Sequence, residues 1–291
     1  MVNCLGQTIA LGSRLGLCTA IAVGFFACSV PVCADDQVVK TAATKPGEDD
    51  EKPPISDQHP LYKLLEVAYK ARKAIGAVDD YSCTFMKREL IQTRVLHSTM
   101  ALKFREKPFS VYLKFLDKTN EGREVIYVHG QNSNNLMVHE GGVKSFIGTL
   151  NLPPNDPNVM SDNRYPVTQI GLKNMINTII KQWETEGKFG GIKTNFYANP
   201  KLETGENCVA YEVIHELNKD SKPFKEFKFH TTRLYIDSDT GIAFGCQQLG
   251  YPTKNDKKPP VIEEYFYTKI KTNLKLTDAD FDKNNSSYAF K

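Results

Sequence analysis

FSVYLKFL, Phe109 to Leu116, puts Phe109, Val111, Leu113 and Phe115 on one side of an extended chain and Ser110, Tyr112 and Lys114 on the other. A period of two with one apolar side is the pattern of a strand that buries one face. Lys107-Pro108 and Asp117 to Gly122 close it at either end. Outward from it, Cys83 to Val95, Thr99 to Glu106, Glu124 to His129 and Asn134 to His139 repeat the alternation, with Gly130 to Ser133 as a further break. None of these connections is long enough for a crossover helix, so the strands pair as an antiparallel meander.

The rest of the chain frames that meander. Leu61, Leu64, Leu65, Ala68, Arg72 and Ile75 recur at helical spacing and Gly76 stops them, which predicts a leading helix. Gly148 to Arg164, rich in Asn, Pro and Asp, reads as a long surface loop. It runs into a second helix whose stripe Leu172, Met175, Ile176, Ile179, Ile180 and Trp183 must be covered. After Gly190-Gly191 a second meander runs through Ile192 to Ala198, Asn207 to Leu217, Phe224 to Asp237, Ile242 to Tyr251 and Val261 to Leu274. Asn218 to Lys222, Ser238 to Gly241 and Asn255 to Lys258 mark its turns. The order gives one α+β domain over 57–291 with roughly ten strands and two main helices.

The amino-terminal segment has a different logic. Arg14 is the only charge before the apolar run Leu15 to Val30, and Val32-Cys33-Ala34 places small residues before Asp35-Asp36. That order reads as a signal peptide over 1–34, cleaved on export to the periplasm or cell envelope. A membrane-spanning anchor or a lipid on Cys28 or Cys33 are the alternatives, and each fits the flanks less well. Residues 35–56, with the acidic run Glu48 to Glu51 and Pro53-Pro54, read as a disordered linker. Removal of 1–34 takes one Arg and no acid from a chain of net charge +3, leaving +2 over 257 residues. So small a charge gives no global field for nucleic acid. Cys83, Cys208 and Cys246 remain. An odd number excludes a fully paired framework, and free buried thiols are the expectation, with a pair involving Cys83 left open.

Motifs for chemistry are lacking. There is no Gly-x-Ser-x-Gly, phosphate-binding glycine loop, dinucleotide fingerprint or Cys-x-x-Cys. His139-Glu140 and His215-Glu216 lack the second His of a zinc-protease motif, since Val143 and Lys219 stand there. Turn lengths place His129 near Leu136, His139 near Ile126, His215 near Phe227 and His230 near Glu212, too far apart for a two-His clamp. Asp278, Asp280, Asp282 and Asn284 imitate a calcium loop, but Lys283 and Ala289 occupy its Gly and acid positions. A capping box from Thr277 to Asp280 explains them better. The basic residues Lys87, Arg88, Arg94, Lys103, Arg105, Lys107, Lys114, Lys118 and Arg123 could meet anionic lipid headgroups, but they are interleaved with acids, as on an ordinary solvated sheet face, which is the better reading. No catalytic residue, metal ligand or cofactor is assigned.

Cys83-Thr-Phe-Met-Lys-Arg-Glu, Leu102 to Phe115, Glu124-Val-Ile-Tyr-Val-His-Gly, Arg164-Tyr-Pro-Val-Thr-Gln-Ile-Gly-Leu, Arg233-Leu-Tyr-Ile-Asp, Glu263 to Leu274 and Thr277-Asp-Ala-Asp-Phe-Asp together resemble an exported family of unknown function common in planctomycete-type bacteria. That family is similar in layout to lipoprotein carriers and receptors of the LolA/LolB type. The resemblance implies a strongly curved antiparallel sheet, an incomplete barrel, with helices packed on its concave side around an apolar cavity. It transfers no site residue. An open curved sheet must cover its apolar face, and a helix laid across it can leave room for an acyl chain. The expected walls are Phe104, Phe115, Phe227, Phe229, Tyr265 and Tyr267, under a lid of Leu172, Met175, Ile176, Ile179 and Trp183. The function expected is non-enzymatic carriage or sensing of a lipid, lipoprotein or other apolar ligand by a monomer in the cell envelope. A structural or protein-interaction module, in which those aromatics fill the space and a partner protein binds, is the first alternative. A hydrolase with an unrecognised site is the second, and a cleft of convergent, mutually hydrogen-bonded polar residues would favour it.

Overall fold

Eleven strands of the described residues form one antiparallel sheet. They are Asp80–Ile91 (β1), Arg94–Arg105 (β2), Ser110–Phe115 (β3), Glu124–Val128 (β4), Leu136–His139 (β5), Thr149–Leu152 (β6), Ile192–Tyr197 (β7), Cys208–His215 (β8), Thr231–Asp237 (β9), Ala243–Leu249 (β10) and Val261–Thr272 (β11). The helices are Tyr62–Gly76 (α1), the single turn Pro157–Met160 (α2) and Leu172–Glu186 (α3). This computed structural model describes residues 51–217, 227–253 and 258–290. The stretch read as a signal peptide, residues 35–50 of the linker, the turn Asn218 to Lys222, the start of the strand read from Phe224, and residues 255–257 lie outside the described residues.

The strand order is β6-β5-β4-β3-β2-β1-β11-β10-β9-β8-β7. Two meanders are therefore joined by their outermost members, the first strand pairing with the last, from Tyr81 opposite Thr272 to Glu89 opposite Glu263. β6 and β7 are left as the two free edges of a curved, unclosed sheet. α1 and α3 pack on each other and on β10. Their buried residues, among them Leu65, Ala68, Ile176, Ile180 and Trp183, belong to one core with the concave side chains Leu102, Phe104, Val213, Leu234 and Ile236. The α+β half-barrel expected from the sequence is the fold observed.

Three local differences have physical causes. The strand read as Cys83 to Val95 is broken by a turn at Gln92-Thr93, where Gln92 takes φ 55° without a Gly or Asn to announce it. The loop read over Gly148 to Arg164 contains β6, so the strands number eleven instead of about ten; four residues between a Gly and a Pro pair are too short for periodicity to show. Pro53 is buried and Ile55 packs against the core, so the packed part takes in residues of the stretch assigned to the linker.

Candidate ligand cavity

α3 starts where three aromatic side chains meet. Gly171, at φ 119°, lies so close to Phe104 that a Cβ there would stand 2.8 Å from the ring. The Gly171 amide donates to the Tyr267 hydroxyl and the Leu172 amide to the Tyr81 hydroxyl, each at 3.0 Å. Two amides that a helix start leaves unpaired are thus satisfied by tyrosines of β11 and β1, fixing α3 over the sheet. The apolar stripe of α3 then divides. Leu172, Ile176, Ile180 and Trp183 are buried in the core, whereas Met175 and Ile179 also border an open space.

That space is a half-enclosed cavity of about 440 Å³, within the range of about 300–1,000 Å³ of small-ligand sites. Its apolar wall comes from the concave positions of β1 to β6: Phe85, Met100, Leu113, Phe115, Val125, Leu136, Val138, Leu150 and Leu152. A strap from α2 to α3 covers it with Val159, Tyr165, Pro166, Val167 and Ile170. Cys246, Tyr265 and Tyr267 complete the wall on the other meander.

Of the side chains expected to line a cavity, Phe115, Tyr265, Tyr267, Met175 and Ile179 are brought together here. Phe104 stacks on Tyr81 at 5.0 Å beneath Gly171, outside the wall. Phe227 stacks on His215 at 4.0 Å and the Phe229 carbonyl contacts His215 Nδ1 at 2.8 Å, both away from the cavity. Leu172, Ile176 and Trp183 are core residues. Six aromatics on several strands shared one expected face because period alone does not tell which end of a long sheet the helices cover.

The sequence reading missed the polar end. Glu89 of β1 and Glu263 of β11 are cross-strand partners, buried, and both face the cavity. Glu89 accepts from Lys87 Nζ at 3.1 Å and from the Tyr265 hydroxyl at 2.5 Å. Glu263 accepts from Arg164 Nε at 2.7 Å and from the Tyr165 hydroxyl at 2.9 Å. Arg164 also donates to the Leu90 carbonyl at 3.0 Å, so the strap is clamped to the sheet through buried charge. Burial pushes the Glu263 carboxyl above the usual range, against the pull of Arg164, Tyr165 and Lys228. Burial also raises the Tyr265 hydroxyl, and Glu263 and Glu89 push it further. Glu in an alternating strand looks like the solvated face, and only the pairing of β1 with β11 reveals the cluster.

The histidine registers also differ from expectation. Glu124, not Ile126, stands opposite His139. The His215 amide donates to the His230 carbonyl at 2.9 Å, so these two residues face each other where β8 ends and just before β9 begins. His215 Nε2 lies 3.3 Å from Glu186 Oε2 of α3, both buried. No group of three or more metal-binding side chains occurs among the described residues. Cys83, Cys208 and Cys246 are buried and unpaired, and burial raises the thiols of Cys83 and Cys246. Lys87, Arg88, Arg94, Lys103, Arg105, Lys114 and Arg123 of the basic cluster each stand against a carboxylate. The Thr277–Asp280 capping box is present.

The fold and this cavity define an unclosed half-barrel with an apolar cleft under a polar clamp. The chain belongs to the family described as protein of unknown function (DUF1571), whose model matches residues 78–290. No curated protein matches it. Among solved structures it is similar to a putative outer membrane lipoprotein-sorting protein domain from Vibrio parahaemolyticus, at 12% identity and TM-score 0.35 over 76% of this chain and 96% of that one. It is similar to the Mycobacterium tuberculosis lipoprotein LppX, at 9% and 0.42 over 74% and 98%. A LolA superfamily protein from Nitrosomonas europaea matches at 9% and 0.30 over 74% and 96%.

Proposed function

We propose that this protein binds the apolar chain of a lipid or similar amphiphile as a non-enzymatic carrier or sensor. The observation that carries the reading is the open cavity of about 440 Å³, which the protein's own aromatic side chains leave unfilled. Roughly eight methylenes buried there would contribute about 6 kcal/mol before the cost of association. The amino-terminal 34 residues support export to the cell envelope as the place of action. Among the described residues no helix is long and apolar enough to cross a membrane.

The convergent polar residues favour a second reading, a hydrolase using Glu89 and Glu263. Each carboxylate is already held by a cation and a tyrosine, and both hold the strap, Glu89 through the Arg164 amide at 3.3 Å and Glu263 through the Arg164 and Tyr165 side chains. Organic extraction and mass spectrometry of the exported protein test the first reading. A lipid released in stoichiometric amount only on unfolding is the expected result. A clean protein that takes up no lipid from envelope mixtures would overturn it. Turnover of an ester substrate lost in both Glu89→Gln and Glu263→Gln would establish the second.

A further inference from the structure

Two rows of polar side chains cross the sheet, one on each face. In the outer row Asn195, Glu212, Arg233, Gln247, Glu264 and Arg88 stand opposite one another from β7 to β1. Each is bonded to the next. Asn195 Nδ2 donates to Glu212 at 2.8 Å, Arg233 to Glu212 and to Gln247 at 2.9 Å, Gln247 to Glu264, and Arg88 to Glu264 at 2.9 Å.

The inner row lies one residue along each strand: Thr232, Gln248, Glu263 and Glu89. Thr232 accepts from Gln182 of α3 at 3.0 Å, and the two glutamates hold the clamp. Gln248 differs. Its side chain lines the cavity, the residue is 2% exposed, and its Oε1 has no hydrogen-bond partner. A buried acceptor without a donor is costly, and the outer row shows that these strands can complete such a ladder.

Resting on the proposed binding of an apolar chain, we infer that the ligand lies with its head at Gln248, and that this head is an uncharged hydrogen-bond donor, a hydroxyl or amide, that donates to Gln248 Oε1. The walls argue against an anionic head. The cavity is lined by four acids, Glu89, Glu140, Asp162 and Glu263, and two bases, Lys87 and Arg123. Lys87 is engaged by Glu89 and Arg123 by Glu140. A carboxylate or phosphate would lose its water and meet no uncommitted cation among these lining residues. An ammonium would be desolvated beside carboxylates that Lys87 and Arg164 already neutralise.

The test compares hexadecanol, palmitate and methyl palmitate, one chain length with a donating, an anionic and a donor-free head, in equilibrium binding to the intact protein at a pH where palmitate is ionised. Hexadecanol is expected to bind about tenfold more tightly than either of the others, the discrimination of one buried hydrogen bond. Gln248→Met should bring hexadecanol down to the affinity of methyl palmitate while leaving methyl palmitate unchanged, which also reports an intact cavity. Palmitate binding as tightly as hexadecanol, or hexadecanol unaffected by Gln248→Met, overturns the inference and leaves the cavity reading standing. Should Gln248→Met not fold, the ranking of the three probes on the unaltered protein decides. Failure of all three to bind overturns both.

Discussion

The two meanders finish the same concave face in different ways. On β8 to β11, Val213, Leu234 and Ile236 share a core with Leu65, Ile176 and Trp183 of α1 and α3. On β3 to β6, Leu113, Val125, Leu136, Val138, Leu150 and Leu152 face the cavity, and the strap is what roofs them. The chain thus makes the same alternating strands twice and packs both long helices on β10 of one set, while over β3 to β6 Met175 and Ile179 of α3 only border the open space. The lesson is that strand pattern sets which face is apolar, whereas the cover for that face comes from elsewhere in the chain. Where the cover is thin, space for another molecule remains.

Substitutions on the helix-covered half should have the largest effect. Trp183 is fully buried, and Trp183→Ala is expected to cost about 3–5 kcal/mol in urea unfolding. A loss under 1 kcal/mol would remove the basis for treating that half as the stable one. Next comes the clamp at the junction. Arg164→Met leaves buried Glu263 without its cation, at a cost of about 3 kcal/mol, the low end for a broken buried pair because Tyr165 still donates to the carboxylate. The same change should raise amide exchange across 157–170, while exchange in α1 stays as it was. A matched pair then measures the contrast directly. Leu234→Ala, under the helices, should cost about 3 kcal/mol, and Leu113→Ala, on the cavity wall, about 1.5 kcal/mol, because a side chain bordering open space loses fewer contacts. Equal costs would mean that the wall of β3 is packed as tightly as the helix-covered half.

How much of this could be read beforehand follows the same division. The stripe Leu172 to Trp183 and the alternation of Phe109 to Leu116 are local patterns, and both elements stand where periodicity puts them. The separation of Cys208 and Cys246 by one intervening strand also follows from meander order. The partners of Glu89 did not follow, because Glu263 is brought beside it by the closing pair β1–β11, and single-strand alternation cannot distinguish a buried glutamate from a solvated one. Histidine registers failed for a related reason: a hairpin loop whose length is known leaves open where the ladder ends, and His215 pairs opposite His230. Residue type and alternation put Phe104, Phe227 and Phe229 on the apolar face but do not separate its covered half from its open one.

The smallest effect distinguishes the two faces by its sign. Glu212 belongs to the outer row: burial alone would raise its carboxyl, but Asn195, Arg233 and Tyr197 outweigh burial and hold it below the usual range. Glu263 belongs to the inner row, where burial wins over Arg164, Tyr165 and Lys228 and the carboxyl is raised. A lowered folded value means that the unfolded chain binds the extra proton as the medium is acidified. The stability due to Glu212 is therefore present above the ordinary carboxylate range and lost as pH falls through its folded value. For Glu263 the folded chain holds the proton longer. Its contribution is whole below the ordinary carboxylate value and is lost as pH rises through the folded one. Glu212→Gln should flatten the acid limb of a plot of urea midpoint against pH, and Glu263→Gln should flatten the decline on the side of rising pH. Lys87, Glu89 and Tyr265 also face the Glu263 site, so Glu89→Gln serves as the control for a change arising from the neighbouring carboxylate. Both substitutions acting on the same limb would mean that bonded partners outweigh burial at Glu263 as they do at Glu212, and the contrast between the two rows would fail at its root.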